Sequence, residues 1–174
     1  MLSLTSLAGW EEAVLASLRG ASGPVDERDR QIERSGLYGE YPAIVRAYIE
    51  HFADPASGSE AVKRAAFLVW RGAMALPAET GIADLPDGTS RAVVAELDAR
   101  VRRGAADEEL RWMLAWYFAG CRDVFELYGG TSRLLAFADV VAPDEWRSAG
   151  ITPARMAGRG QLGMYWTALA AGAP

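Results

Sequence analysis

The chain of 174 residues is long enough to bury one sizeable hydrophobic core and short enough to suit one domain. With 51% hydrophobic and 24% charged residues it falls in the ordinary globular range, which excludes disorder for its bulk. A net charge of −5 argues against a nucleic-acid partner, because phosphate contacts need clustered Lys and Arg.

The first amphipathic pattern sets Leu7, Trp10, Val14, Leu15 and Leu18 at helical spacing, with Ser6 as N-cap and Gly20 past the end. After a loop at 21–24, the stretch 25–35 (VDERDRQIERS) is dense in both signs of charge, and only Val25 and Ile32 suit a core. It reads as a short, solvated helix carrying i,i+4 pairs such as Asp26 with Arg30. Residues 37–42 read as a turn, and Pro42 opens a helix to about Phe52 with Ile44, Val45, Tyr48, Ile49 and Phe52 inside. Ser57 and Glu60 form an S-x-x-E capping box for a second helix over 59–76, whose inner face carries Val62, Ala65, Ala66, Val69, Ala73 and Leu76. Residues 77–89, with two prolines and two glycines, read as the longest internal loop. A helix over 90–103 follows, with Val93, Val94, Leu97 and Val101 inward and Gly104 as its C′ residue.

The stretch 107–128 (DEELRWMLAWYFAGCRDVFELY) is the longest, most aromatic run free of breakers. Leu110, Met113, Leu114, Tyr117, Cys121, Val124, Phe125 and Tyr128 share one face, an arc wide enough to need cover from several sides. It reads as the central helix, ended by Gly129 and Gly130. Residues 134–141 (LLAFADVV) fit a short helix or a strand; helix is preferred, since no partner strand exists elsewhere. Residues 144–146 read as a turn of helix. Thr152 and Pro153 form an N-cap and N1 pair for a last helix, loosened by Gly158, Gly160 and Gly163, and the AAGAP tail is expected to fray. The predicted fold is all-α: a single compact domain, 1–174, of about seven helices packed around 107–128.

Only Lys63 among the 18 basic residues is lysine and asparagine is absent, a bias that follows GC-rich codons and points to a bacterium. The lone Cys121 excludes an internal disulfide and any multi-cysteine metal site. No apolar stretch is long enough to span a membrane, and the N-terminus has no basic n-region, so the expected address is the cytoplasm.

One candidate site stands out. Lys63, Arg64, Phe67, Trp70, Arg71 and Met74 recur along the second core helix, three cations interleaved with aromatics and offset only by Glu60. Arginine suits carboxylate or phosphate recognition because its planar fork gives two parallel bonds. Trp112, Trp116 and Asp123 form a flank of the central helix that would face it, with Asp123 paired to Arg71 or Arg64. The bland alternative is that the aromatics pack and the cations pair internally, and it is the more frequent outcome for such stripes. His51, the only histidine, has no second ligand at i+3 or i+4 and no H-E-x-x-H context, so a structural role is preferred over catalysis or metal binding. Cys121 reads as a small core hydrophobe. Phosphate-loop, dinucleotide and G-x-S-x-G motifs are absent, and no cofactor or metal is expected.

This missing chemistry favours a non-enzymatic protein that acts through protein–protein contact, such as an immunity-like or antidote-like binder of a basic partner. The acidic run Asp107, Glu108 and Glu109 and the segment 26–34 are its candidate surfaces. The alternative is a binder of, or enzyme acting on, a small anionic ligand in a cleft made by Lys63, Arg64, Trp70, Arg71, Trp112, Trp116 and Asp123. A helical homodimer is the third reading, expected to show an exposed apolar patch.

Overall fold

The computed structural model describes residues 1–172, and among them lie eleven α-helices, two short 3-10 helices and no strand. α1 (Leu4–Gly20) starts from Ser3, whose hydroxyl oxygen accepts the Ser6 amide at 3.0 Å. The cap is therefore Ser3 and not Ser6, which adds a turn of helix. α2 (Val25–Arg34) buries only Ile32, as its charge pattern demands. A 3-10 turn at Leu37–Gly39 runs straight into α3 (Glu40–Ile49). Pro42 sits inside the first turn of α3, where its missing N–H costs no intrahelical bond.

α4 (Gly58–Met74) carries ten consecutive buried residues, Ala61 to Trp70. The expected capping box does not form at its start. The Ser57 hydroxyl donates instead to the Asp54 carboxylate and shares a 2.7 Å bond with His51 Nδ1. His51 is buried, and its Nε2 lies 2.7 Å from the carbonyl oxygen of Leu2, which pins the N-terminal segment to the turn after α3.

The rest of the chain forms α5 (Pro77–Thr80), α6 (Asp87–Arg102), α7 (Glu108–Cys121), α8 (Asp123–Leu127), α9 (Ser132–Ala138), α10 (Pro153–Met156) and α11 (Gly160–Ala170). The helix count exceeds seven because predicted loops and long helices divide. The 77–89 loop contains α5, with Pro77 at its first turn, and α6 begins three residues before Ser90. The 107–128 helix is cut at Arg122, where the Phe125 amide bonds the Arg122 carbonyl at 3.0 Å in place of the i−4 pattern. Gly129, at φ +91°, then turns the chain so that the Gly130 amide reaches the Phe125 carbonyl at 2.8 Å. Residues 132–138 are helical, with Thr131 as N-cap. Thr152 and Pro153 cap a helix as their order predicts, yet it ends at Met156 and α11 starts afresh at Gly160. A Cβ on Gly163 would collide with the Met156 carbonyl oxygen, so only glycine lets α10 and α11 lie this close. The last two residues of the tail, 173 and 174, lie outside the described residues.

α4 is enclosed by α3, α6, α7 and α11; α1 packs on α3 and α11, and α9 on α6 and α7. Tyr117 and Phe125 are fully buried, as the central-helix reading requires. α4 shares that central role, and its alanines 61, 65 and 66 allow neighbours to approach closely. No helix among the described residues is long and apolar enough to cross a membrane.

Candidate functional site

The basic stripe of α4 divides when the helix is packed. Lys63 and Arg64 turn inward and are fully engaged. Lys63 Nζ lies 2.7 Å from both Asp107 Oδ2 and Glu109 Oε2. Arg64 holds Glu60 at 2.7 Å and donates to the Leu4 carbonyl at 3.0 Å. Arg159, from the turn before α11, completes the cluster by bonding Glu60 at 2.6 Å and Glu109 at 2.8 Å. Burial alone would raise the Glu109 pKa, but hydrogen bonds from Arg159 and Lys63 outweigh it and lower it to about 2. Of the three acids expected on a contact surface, Glu109 is thus largely internal, and Asp107, though exposed, is tied to Lys63. Asp107 also caps α7, accepting the Leu110 amide at 2.8 Å. Lys63, Arg64 and Arg159 are thus matched within the cluster by Glu60, Asp107 and Glu109, and the exposed Arg155 lies 3.6 Å from Glu109.

The aromatic members of the predicted cleft pack against other rings of the core and not against one another. Trp70 stacks on Tyr117 at 4.7 Å, and Trp112 meets Trp166 edge-on at 4.6 Å. Trp116 donates its indole N–H to the Tyr165 hydroxyl at 2.7 Å, which fixes the Tyr165 ring. Asp123 is exposed at the start of α8 and reaches neither Arg71 nor Arg64. The seven residues grouped by sequence therefore do not surround one cleft.

Arg71 is the one of the seven that lines a cleft. It lies on the last turn of α4, its guanidinium 5.5 Å above the centre of the Tyr165 ring. That ring, Phe67, Met164 and Leu169 form one wall of a cleft of about 670 Å³; Leu15 and Leu18 of α1 form another. Two further arginines line it: Arg19, on the last turn of α1, and Arg28, on the half-buried face of α2. None of the three makes an ion pair among the described residues, and the Arg28 Nε is shielded from solvent without a hydrogen-bond partner. Glu79, exposed, is the single carboxylate on the lining.

The floor of the cleft is a buried polar tie. Gln161 donates its side-chain amide to the Tyr41 hydroxyl and, at 2.7 Å, to the Thr80 carbonyl. Its backbone N–H donates to Glu11 Oε2 at 2.8 Å, and the Tyr48 hydroxyl donates to Glu11 Oε1 at 2.5 Å. Gly160 must be glycine here: its φ is +59°, and a Cβ would stand 2.6 Å from the Glu11 carboxylate. Burial drives the Glu11 pKa up, and the hydrogen bonds from Tyr48 and Gln161 and the charge of Arg64 hold the rise to about 7. Burial likewise pushes the Tyr41 and Tyr48 phenols upward, so both stay protonated, Tyr48 donating to Glu11 and Tyr41 accepting from Gln161.

Sequence reading passed over Glu11, Arg28, Arg159 and Gln161. Glu11 carried a usable signal, since 7, 11, 14 and 18 define one apolar stripe and an acid on that stripe must be buried. Arg28 lies three residues after Val25 and four before Ile32, on the face that meets the core. Among the described residues no group of three or more His, Cys, Asp or Glu side chains is placed to hold a metal ion. Comparison with protein-family models, with curated proteins and with solved structures finds no match to this chain.

Proposed function

We propose that the protein binds a small anionic molecule in the cleft between α1, α2, α4 and α11. The observation that carries this reading is the contrast between two sets of cations. Lys63, Arg64 and Arg159 are matched to acids at 2.6–2.8 Å, whereas Arg19, Arg28 and Arg71 converge on one cavity without a matching acid. Other arginines, such as Arg46 and Arg133, also make no ion pair among the described residues, but these three line one cavity, where their planar forks suit an anion from outside. The volume, about 670 Å³, falls within the range of small-molecule sites.

A protein-contact role has less support, because Asp107 and Glu109 of its acidic surface are spent on Lys63 and Arg159. The test is thermal: ligands that bind only the folded state raise the melting temperature. Carboxylates and phosphate esters are compared with their neutral amides on wild type and on Arg71→Ala. The proposal expects at least one anion, and not its amide, to stabilise wild type while leaving Arg71→Ala unchanged. Equal shifts in both proteins, or none for any anion, would contradict it.

A further inference from the structure

The polar groups on the cleft floor are all committed in one direction. Gln161 gives its side-chain N–H groups to the Tyr41 hydroxyl and the Thr80 carbonyl, so its amide is fixed and its Oε1, which receives no bond among the described residues, is an acceptor only. The Thr80 hydroxyl is equally spent, donating to the Leu76 carbonyl and accepting the Ile82 amide. Glu79 adds a carboxylate, another acceptor. Beyond the arginines and the Tyr165 hydroxyl, whose oxygen already takes the Trp116 N–H, the side chains lining the cleft present acceptors, Gln161 Oε1 and Glu79, which a donor on the ligand would pair. The accessible part of its walls is largely apolar: Met164, Ala168, Leu169 and the Tyr165 ring would stay wet around an inorganic ion, which cannot cover them.

We infer that the ligand is a small organic acid with an apolar body of about ring size and an N–H or O–H donor besides its anionic group. The inference rests on the anion-binding reading above and narrows it. Each part of the ligand answers one part of the site. The arginines take the acid, and Tyr165, Met164 and Leu169 cover the body. Gln161 Oε1 or Glu79 accepts the donor. Inorganic phosphate satisfies only the first of these, and a polyphosphate would be repelled by Glu79. A plain fatty acid leaves the fixed acceptors desolvated and unpaired, which is the costly outcome for a buried polar group.

Isothermal titration with four probes separates these requirements. Para-hydroxyphenylacetate has acid, ring and donor; para-methoxyphenylacetate lacks the donor; para-hydroxyphenylethanol lacks the acid; inorganic phosphate lacks the body. The expected order places the hydroxy acid first, with the methoxy acid and phosphate each weakened about tenfold or more, the size of one lost buried hydrogen bond or of lost apolar contact. The alcohol is expected to fall furthest, and Arg71→Ala to weaken both aryl acids alike. In wild type, equal affinity for the hydroxy and methoxy acids would remove the donor requirement and overturn the inference. Phosphate binding as tightly as the hydroxy acid would overturn the inference and leave the anion reading standing. No heat from any anion at millimolar concentration, or the alcohol binding as well as the acids, would sink the anion reading itself.

Discussion

The Glu11 carboxylate accepts the backbone N–H of Gln161 at 2.8 Å, at the first turn of α11, while being almost wholly shielded from water. A helix N-terminus favours the anion, and burial opposes it more strongly. The folded protein therefore holds the Glu11 proton up to about pH 7, whereas the unfolded chain releases it near 4.5. Between those values the folded state binds more protons, so unfolding free energy falls as pH rises. A rise of this size is worth roughly 3 kcal/mol in all. Urea titrations from about pH 5 to about pH 8 are expected to show that decline in wild type and a flattened profile in Glu11→Gln. An unchanged slope in the variant would show that Glu11 is not the group responsible.

Glu109 behaves in the opposite sense. Its pKa of about 2, against an ordinary 4.5, means that its contribution is complete above 4.5 and lost as pH falls toward 2. Removing its partner should be worse than any surface change. Arg159→Ala leaves Glu60 and Glu109 short of a buried cation and is expected to cost ~3–5 kcal/mol. Arg122→Ala, which breaks exposed pairs with Glu126 and Asp139, is expected to leave stability nearly unchanged. Denaturant midpoints of the two variants make the comparison.

Phe125 is fully buried and packs on Phe118 at 4.6 Å between ring centres. Phe125→Ala is expected to cost ~3–5 kcal/mol through lost burial and the cavity left behind. A loss below about 1 kcal/mol in urea would place the core elsewhere.

Gly163→Ala sets a methyl group against the Met156 carbonyl oxygen, which belongs to the backbone and cannot swing aside. It is expected to cost at least ~1–3 kcal/mol by overpacking. Gly88→Ala is the control: it lies in the first turn of α6, where an added Cβ meets nothing within 4 Å, and it should be neutral or slightly stabilising. Melting temperatures of the pair test whether the α10–α11 approach is as tight as described.

Local signals in the chain were legible because they act through near neighbours. The apolar stripe through Tyr117 and Phe125 and the Thr152–Pro153 cap each depend on residues within two or three turns, and they appear where periodicity puts them. The candidate site was not legible in the same way. Arg71 and Arg64 stand on one helix seven residues apart, and nothing in that spacing says that Arg64 meets Glu60 while Arg71 meets open space. The partners that decide it come from distant segments: Arg159 closes the ion cluster from a turn far along the chain, and Arg28 reaches the cleft from a helix whose charge pattern looked fully solvated. Ser57 shows the same limit at short range, because Asp54 and His51 compete for the hydroxyl that a capping box would use.

Arg28 and Arg71 line the cleft and make no ion pair among the described residues, so the sharpest test of anion binding is their side-chain NMR resonances during titration with para-hydroxyphenylacetate. Capture of an acid by the cleft predicts a saturable downfield shift of the Nε–H signals of Arg28 and Arg71, with the signal of Arg159, already bonded to Glu60, unmoved. Signals of Arg28 and Arg71 that stay fixed while the acid is added to saturation, or shifts spread evenly over exposed arginines such as Arg122, would contradict the account.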